Sequence, residues 1–226
     1  PLLVFGIKGP YKKSPIVRAL IALGPAYIKF GQLLSTRPDI VGADLANELK
    51  VLQDSLDPFP TTEAKKILHE ELGSPVESIF SSFSDPVAAA SIAQVHKATV
   101  KETKELVAVK ILRPNVEKVF LKDLAALLFL AKFIEFIIPS FRRLKPTEVI
   151  NHFERLVREE LDLRMEISAA AEFAENTKSD RNFYVPKVIW SLSGKRVVTT
   201  EWVDGMSVRD IERIKKSGVD IESFAK

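Results

Sequence analysis

The run Ala88-Ala89-Ala90-Ser91-Ile92-Ala93-Gln94-Val95, followed fifteen residues later by Lys110 at the end of Val107-Ala108-Val109-Lys110, constrains this chain more than any other feature. A turn of small side chains lets backbone N–H groups come close to an anion such as phosphate. In the strand that follows, alternation sends Val107, Val109 and Ile111 to one face and Ala108, Lys110 and Leu112 to the other. An ammonium over that second, largely apolar face needs a carboxylate or a phosphate. Together the two features read as a phosphate site. The alternatives are a tightly packed strand entry for the loop and a lysine that snorkels from an edge strand into water. Alanine resists positive φ, so this loop cannot wrap phosphates as a glycine loop does. A P-loop is excluded, because no Gly-x-x-x-x-Gly-Lys-Ser/Thr sequence is present.

Around this motif the chain reads as helices, strands, helices, strands. Residues 14–57 carry apolar residues at helical spacing, with a break at Pro38, and Pro58 and Pro60 end that part. A short helix runs from Thr61 or Thr62 to Leu72, with Gly73 as its C-terminal cap, and a brief turn covers Val76 to Phe80. Residues 87–112 form two strands around the polar turn 101–105. Two helices follow, over 115–138 and 146–176, the second with Pro146 near its first position. Tyr184–Leu192 and Arg196–Val203 read as a hairpin around Ser193-Gly194-Lys195, and Ser207-Val208-Arg209-Asp210 as a capping box opening a helix. The fold class expected is α+β: a small antiparallel sheet packed against helices, preceded by a helical extension.

Composition narrows the function classes. Thirty-three Lys and Arg against 30 Asp and Glu leave a net charge of only +3, with no basic run interleaved with aromatics, which argues against nucleic-acid binding. Cysteine is absent, which removes disulfides and thiolate metal sites, and the three histidines are scattered. The most apolar stretch, Val119 to Ser140, holds Lys122, Asp123, Lys132 and Glu135, so it reads as a buried or interfacial helix. The sequence starts at Pro1 and stops at Lys226 within helix-like sequence, as expected of a segment of a longer protein.

Two further clusters carry polar groups that need partners. The acid-dense run 159–166 places Asp162 and Glu166 four apart on one helical face, while Glu160 lies well round the helix. The helix must bend for all three to share a site, or Glu160 must serve a different partner. An exposed face bridged by Arg158 and Arg164 is the alternative. In the N-terminal part, Lys29 and Gln32 share a face amid apolar neighbours, and Gly31 implies close packing against another backbone.

In this order, Lys29-Phe30-Gly31-Gln32, Ala88-Ala89-Ala90-Ser91, Val107-Ala108-Val109-Lys110, Glu160-Leu161-Asp162, Glu166 and Glu201-Trp202-Val203-Asp204-Gly205 resemble the motifs of the UbiB/AarF family of atypical kinase-like proteins, associated with ubiquinone biosynthesis. The resemblance implies a protein-kinase-like N-lobe with inserted helices. It implies three parts: a helical extension over 1–80, the N-lobe over 81–203, and the start of a C-lobe over 204–226. ATP would lie under Val87, Ala88, Ala89, Ala90, Ser91, Ile92, Ala93, Gln94 and Val95. Lys110 would contact the phosphates and pair with Glu166. Ala108 would lie against the adenine, whose edge would meet the backbone of Glu201, Trp202 and Val203. Lys29, Gly31 and Gln32 would belong to a regulatory extension that occludes a peptide groove, with Glu160 or Asp162 as the ionic partner of Lys29. Ordinary protein kinase activity would thereby be disfavoured. No catalytic Asp and no magnesium ligand falls within the segment, so the resemblance places both beyond Lys226. It also implies association with lipid quinone precursors, other ubiquinone-biosynthesis proteins and a membrane, either the cytoplasmic face of a bacterial inner membrane or an organelle of bacterial origin. A non-catalytic lipid- or protein-binding scaffold is the competing reading.

Overall fold

The computed structural model describes residues 14–53, 57–180, 182–206 and 210–218. Its centre is a four-stranded antiparallel sheet in the order β1 to β4: Phe80–Ala89, Ala93–Val100, Leu106–Leu112 and Val197–Glu201. Four short helices precede it: α1 Pro15–Leu23, α2 Pro25–Ser35, α3 Pro38–Val41 and α4 Ala43–Leu49. Next come α5 Thr61–Leu72 and α6 Val76–Ile79. Between β3 and β4 lie α7 Val116–Ile137, α8 Pro146–Glu160 and α9 Leu163–Asn176, and α10 Ile211–Lys216 ends the described chain. This is the expected α+β architecture of a kinase-like N-lobe.

The two faces of the sheet follow from alternation. On the rear face Ala98, Val107, Val109, Ile111 and Val197 form one core with Phe59, Ala64, Ile67 and Leu68 from the linker and α5. Four of these strand residues, Val107, Val109, Ile111 and Val197, are wholly inaccessible to solvent. On the front face Ala93, Leu112 and Val198 enter a second core with α7, α8 and α9. Ala26 of α2 belongs to that second core, so the N-terminal helices are anchored on the lobe as well as on their own small core of Val17, Ile28, Leu49 and Leu52.

The differences from expectation have local causes. The N-terminal helical region breaks at Gly24 and Gly42 as well as before Pro38; both glycines have positive φ, which ends one helix as the next begins. Gly73 is the left-handed cap of α5, as expected. A third strand, β1, starts as early as Phe80, and its register shifts at Ser82, Pro86 and Ala88. The expected hairpin over 184–203 yields one regular strand, β4. Its partner segment contributes a single bridge, Val188 to Thr200, and then a 3-10 turn over Trp190–Leu192. Residues 207–209 of the expected capping box lie outside the described residues; Asp210 caps α10 by accepting from the Arg213 N–H.

The helix expected over 146–176 divides into α8 and α9. Asp162 takes the N-cap position of α9, where its carboxylate accepts from the Arg164 N–H. The Leu163 N–H donates to the Lys195 carbonyl at 2.9 Å, which ties the start of α9 to the loop before β4. Helix α7 buries Val116, Phe120, Leu124, Leu127 and Ala131 and leaves Phe129, Phe133 and Phe136 on its outer side, with Phe136 79% exposed.

Candidate nucleotide site

The front face presents one row of side chains across the four paired strands. Ala88 pairs with Val95, Val95 with Lys110, and Lys110 with Val198. Lys110 therefore points away from the rear core, toward α9. Its ammonium meets the Glu166 carboxylate at 2.6 and 2.9 Å. Both side chains are partly open to water, so the pair contributes at most about 1 kcal/mol to stability. Packing alone gives little reason to hold a lysine and a glutamate 56 positions apart in this contact.

The break between α8 and α9 resolves the crowding of acids. Glu160, the last residue of α8, turns to Lys29 of α2 at 2.6 Å. Glu166, in the first turn of α9, turns to Lys110. Asp162 faces neither lysine; it caps α9 and binds the Arg164 guanidinium at 2.6 Å, which holds its carboxyl below the ordinary aspartate range. Arg158 pairs instead with Glu154.

The loop between β1 and β2 is held from behind. The Ala90 N–H donates to the Ala93 carbonyl at 2.7 Å. The Arg113 guanidinium donates to the Ala90 carbonyl at 3.0 and 3.1 Å and to the Asp57 carbonyl at 2.8 Å, and the Arg113 N–H donates to the Ile92 carbonyl at 2.8 Å. Arg113 also lies over the Phe59 ring, and its burial pulls the guanidinium below its ordinary value. Positive φ is absent from Val87–Val95. Among the described residues, no acceptor takes the N–H of Ser91 or of Ile92. An alanine loop thus leaves two donors without an acceptor among the described residues and without left-handed backbone, although Ser91 itself is buried and Ile92 packs against the front core. Val87 is 52% exposed at its approach, and Ala89 pairs with Gln94 at its base.

Gln94 belongs to the other face. Its amide is buried behind the sheet, where Oε1 accepts from the Phe59 N–H at 2.9 Å and Nε2 donates to the Phe59 carbonyl at 3.1 Å. The same Nε2 lies 2.9 Å from His96 Nε2, while His96 Nδ1 lies 2.9 Å from the Ser84 carbonyl. Only an Nδ1–H tautomer satisfies both contacts: Nδ1 donates to the carbonyl and Nε2 accepts from Gln94. Burial pushes the His96 pKa below its ordinary value. Gln94 thus clamps the linker to the lobe, and its alternation with Ala93 and Val95 removes its side chain from the front face.

At the far end of the sheet, Ala108 is half-buried between Lys97 and Thr200. The Glu201 N–H donates to the Lys187 carbonyl and the Trp202 N–H to the Leu106 carbonyl. Among the described residues, none donates to the Glu201 carbonyl and none accepts from the Val203 N–H. These two groups, an acceptor and a donor two residues apart, suit the edge of a purine. The Trp202 ring lies beneath the Lys97 ammonium at 4.5 Å, its Nε1–H bound to Asp204. Tyr184 donates to the Glu201 carboxylate, which lowers the pKa of that acid.

In the extension, Gln32 donates to the Leu52 carbonyl at 2.7 Å, so its amide braces the N-terminal helices, although both it and Lys29 line the cavity closed by Glu160 and Phe153. Gly31 packs against the side chains of Leu52 and Leu20, not against backbone as its presence implies, and a Cβ would collide with both. Arg113 is a site residue that the sequence motifs do not mark. Its signal is parity, since Arg113 continues the series Val107, Val109, Ile111 of the buried face, where a cation requires acceptors.

Residues 51–226 match the ABC1 atypical kinase-like domain. The chain is 39% identical over 227 residues to a probable protein kinase UbiB of Aliivibrio fischeri, an alignment covering 98% of this chain and 42% of that protein. It is 37% identical over 235 residues to one of Marinobacter nauticus, covering all of this chain and 43% of the relative, and 41% identical over 208 residues to one of Pseudomonas aeruginosa, covering 92% and 39%. The chain thus spans about two fifths of the length of these curated relatives. With the lysine–glutamate pair, the alanine loop and the family match in agreement, the chain belongs to the ABC1 atypical kinase-like family, the group that includes the UbiB proteins.

Proposed function

We propose that this chain is the nucleotide-binding part of an atypical kinase or ATPase that supports ubiquinone biosynthesis. The observation that carries the reading is the Lys110–Glu166 pair on the front face, together with the Ser91 and Ile92 N–H groups of the loop, which have no acceptor among the described residues. Polar groups left without partners beside a positioned lysine are what phosphate oxygens require. ATP supplies the phosphoryl group; this chain grips the nucleotide. The N–H groups of Ser91 and Ile92 and the ammonium of Lys110 take the phosphates. Ala108 leaves room for the base, and the Glu201 carbonyl and Val203 N–H take its edge. Neither a magnesium ligand nor the catalytic Asp is assigned to this chain.

Lys29 and Glu160 couple the extension to the end of α8, six residues before Glu166 in α9. That connection gives the extension a lever on the nucleotide pair, which fits a regulatory role. Association with a membrane and with lipid quinone precursors is part of the proposal. The exposed Phe129, Phe133 and Phe136 on the outer side of α7 favour it, and no described helix is long and apolar enough to cross a bilayer.

The test is a calorimetric titration of full-length protein with ADP and ATP in the presence of magnesium. Lys110→Ala is expected to weaken binding at least about tenfold, the loss of a charge-assisted contact to phosphate. Equal affinity in wild type and variant overturns the assignment of Lys110. Undetectable binding by wild type overturns the nucleotide reading and favours the scaffold.

A further inference from the structure

We infer that Arg113 is a positioning residue that polarises the alanine loop, holding its carbonyls inward so that its N–H groups face an anion. This inference rests on the nucleotide reading. A loop without positive φ cannot form the successive N–H concavity that glycine permits. Its donors and acceptors must be sorted in another way. Arg113 does this with three groups. Two guanidinium nitrogens hold the Ala90 carbonyl, the backbone N–H holds the Ile92 carbonyl, and the remaining reach of the guanidinium binds the Asp57 carbonyl.

The two carbonyls on either side of Ser91 are therefore both directed at one residue. The Ser91 and Ile92 N–H groups have no acceptor among the described residues, and they are the groups assigned here to the anion. An unrestrained carbonyl beside a phosphate would repel it; here each is held by a donor. The guanidinium also places a fixed positive charge directly behind the loop. Its half-buried position against Phe59 and its bond to Asp57 fasten the loop to the linker that leads from the N-terminal helices. Any shift of that linker is transmitted to the phosphate donors. Lysine, with a single ammonium, cannot reproduce a fork that spans two carbonyls.

The experiment compares full-length wild type, Arg113→Met and Arg113→Lys, each first shown to melt cooperatively. Methionine keeps the apolar stem and removes the donors. Affinities are measured for magnesium ADP and for adenosine, and amide hydrogen exchange is followed in peptides covering 88–95. The account predicts that Arg113→Met loses about tenfold in ADP affinity while adenosine binding is unchanged, with Arg113→Lys between wild type and Arg113→Met. It also predicts faster exchange across the loop in Arg113→Met without nucleotide. An equal loss for ADP and adenosine, or no loss for either, overturns the role in anion capture. If wild type binds neither compound, the nucleotide reading is what fails, and exchange alone then decides whether Arg113 holds the loop: faster exchange upholds the contact and unchanged exchange overturns it.

Discussion

The rear and front faces of the sheet are built by alternate residues of the same four strands, yet they treat polar groups in opposite ways. On the rear face Gln94, His96 and Thr199 are almost wholly buried, and each has its partners: the Phe59 backbone, the Ser84 carbonyl, the Leu192 carbonyl and Ser193. On the front face Lys110 and Glu166 pair while partly open to water, and the loop and strand end hold backbone groups without partners among the described residues. Polar groups that are buried and satisfied specify a structure; polar groups that are positioned but incompletely engaged specify a binding partner. The lesson is that alternation separates stability from function within a single strand.

Rear-face substitutions are expected to affect folding strongly and front-face ones weakly. Ile111→Ala leaves a cavity between sheet and α5 and costs about 3 kcal/mol, read from urea unfolding. A cost like that of an exposed site, well under 1 kcal/mol, would contradict the two-faced description. Gln94→Leu keeps most of the volume but orphans the Phe59 N–H and carbonyl in a buried place, at about 2 kcal/mol in the same assay. A near-neutral result would mean that the linker is not held by this amide.

The His96 prediction concerns pH. Its folded pKa is depressed by burial, so between the folded value and the ordinary 6.5 the unfolded state binds more protons. Stability from this group is present above pH 6.5 and is lost as pH falls below it, by at most about 1.4 kcal/mol per pH unit. Protonation would set two donors, His96 Nε2–H and the Gln94 amide, against each other. Melting temperatures between pH 7.5 and 5 check the sign, and a His96→Asn variant should lose this component of the slope. The smallest effect on folding belongs to Lys110→Ala, under about 1 kcal/mol, because the pair it removes is partly open to water. A large destabilisation would show that the front-face pair is a structural strut.

Much of the strand pattern was legible. The alternation of Val107, Val109 and Ile111 against Ala108, Lys110 and Leu112 is reproduced in the cores on either side. The first strand was not, because Ser81-Ser82-Phe83-Ser84-Asp85-Pro86 has little strand propensity and pairs with irregular register. The break between α8 and α9 was legible only as a conflict. Glu160 and Glu166 could not share a face of one regular helix, and Leu161 continues the apolar spacing across the junction. Asp162, a good N-cap residue, was the available signal. Gln94 and Gln32 could not be assigned from sequence, since their partners are backbone groups 35 and 20 positions away. Arg113 was hidden for the same reason, as its carbonyl partners lie 23 and 56 positions back.

The measurement that tests the account most directly is a structure of the full-length protein with magnesium ADP. The account predicts phosphate oxygens within hydrogen-bond reach of the Lys110 ammonium and the Ser91 or Ile92 N–H, with the base beside Ala108. A nucleotide seated elsewhere, with Lys110 still bound to Glu166 alone, would contradict it.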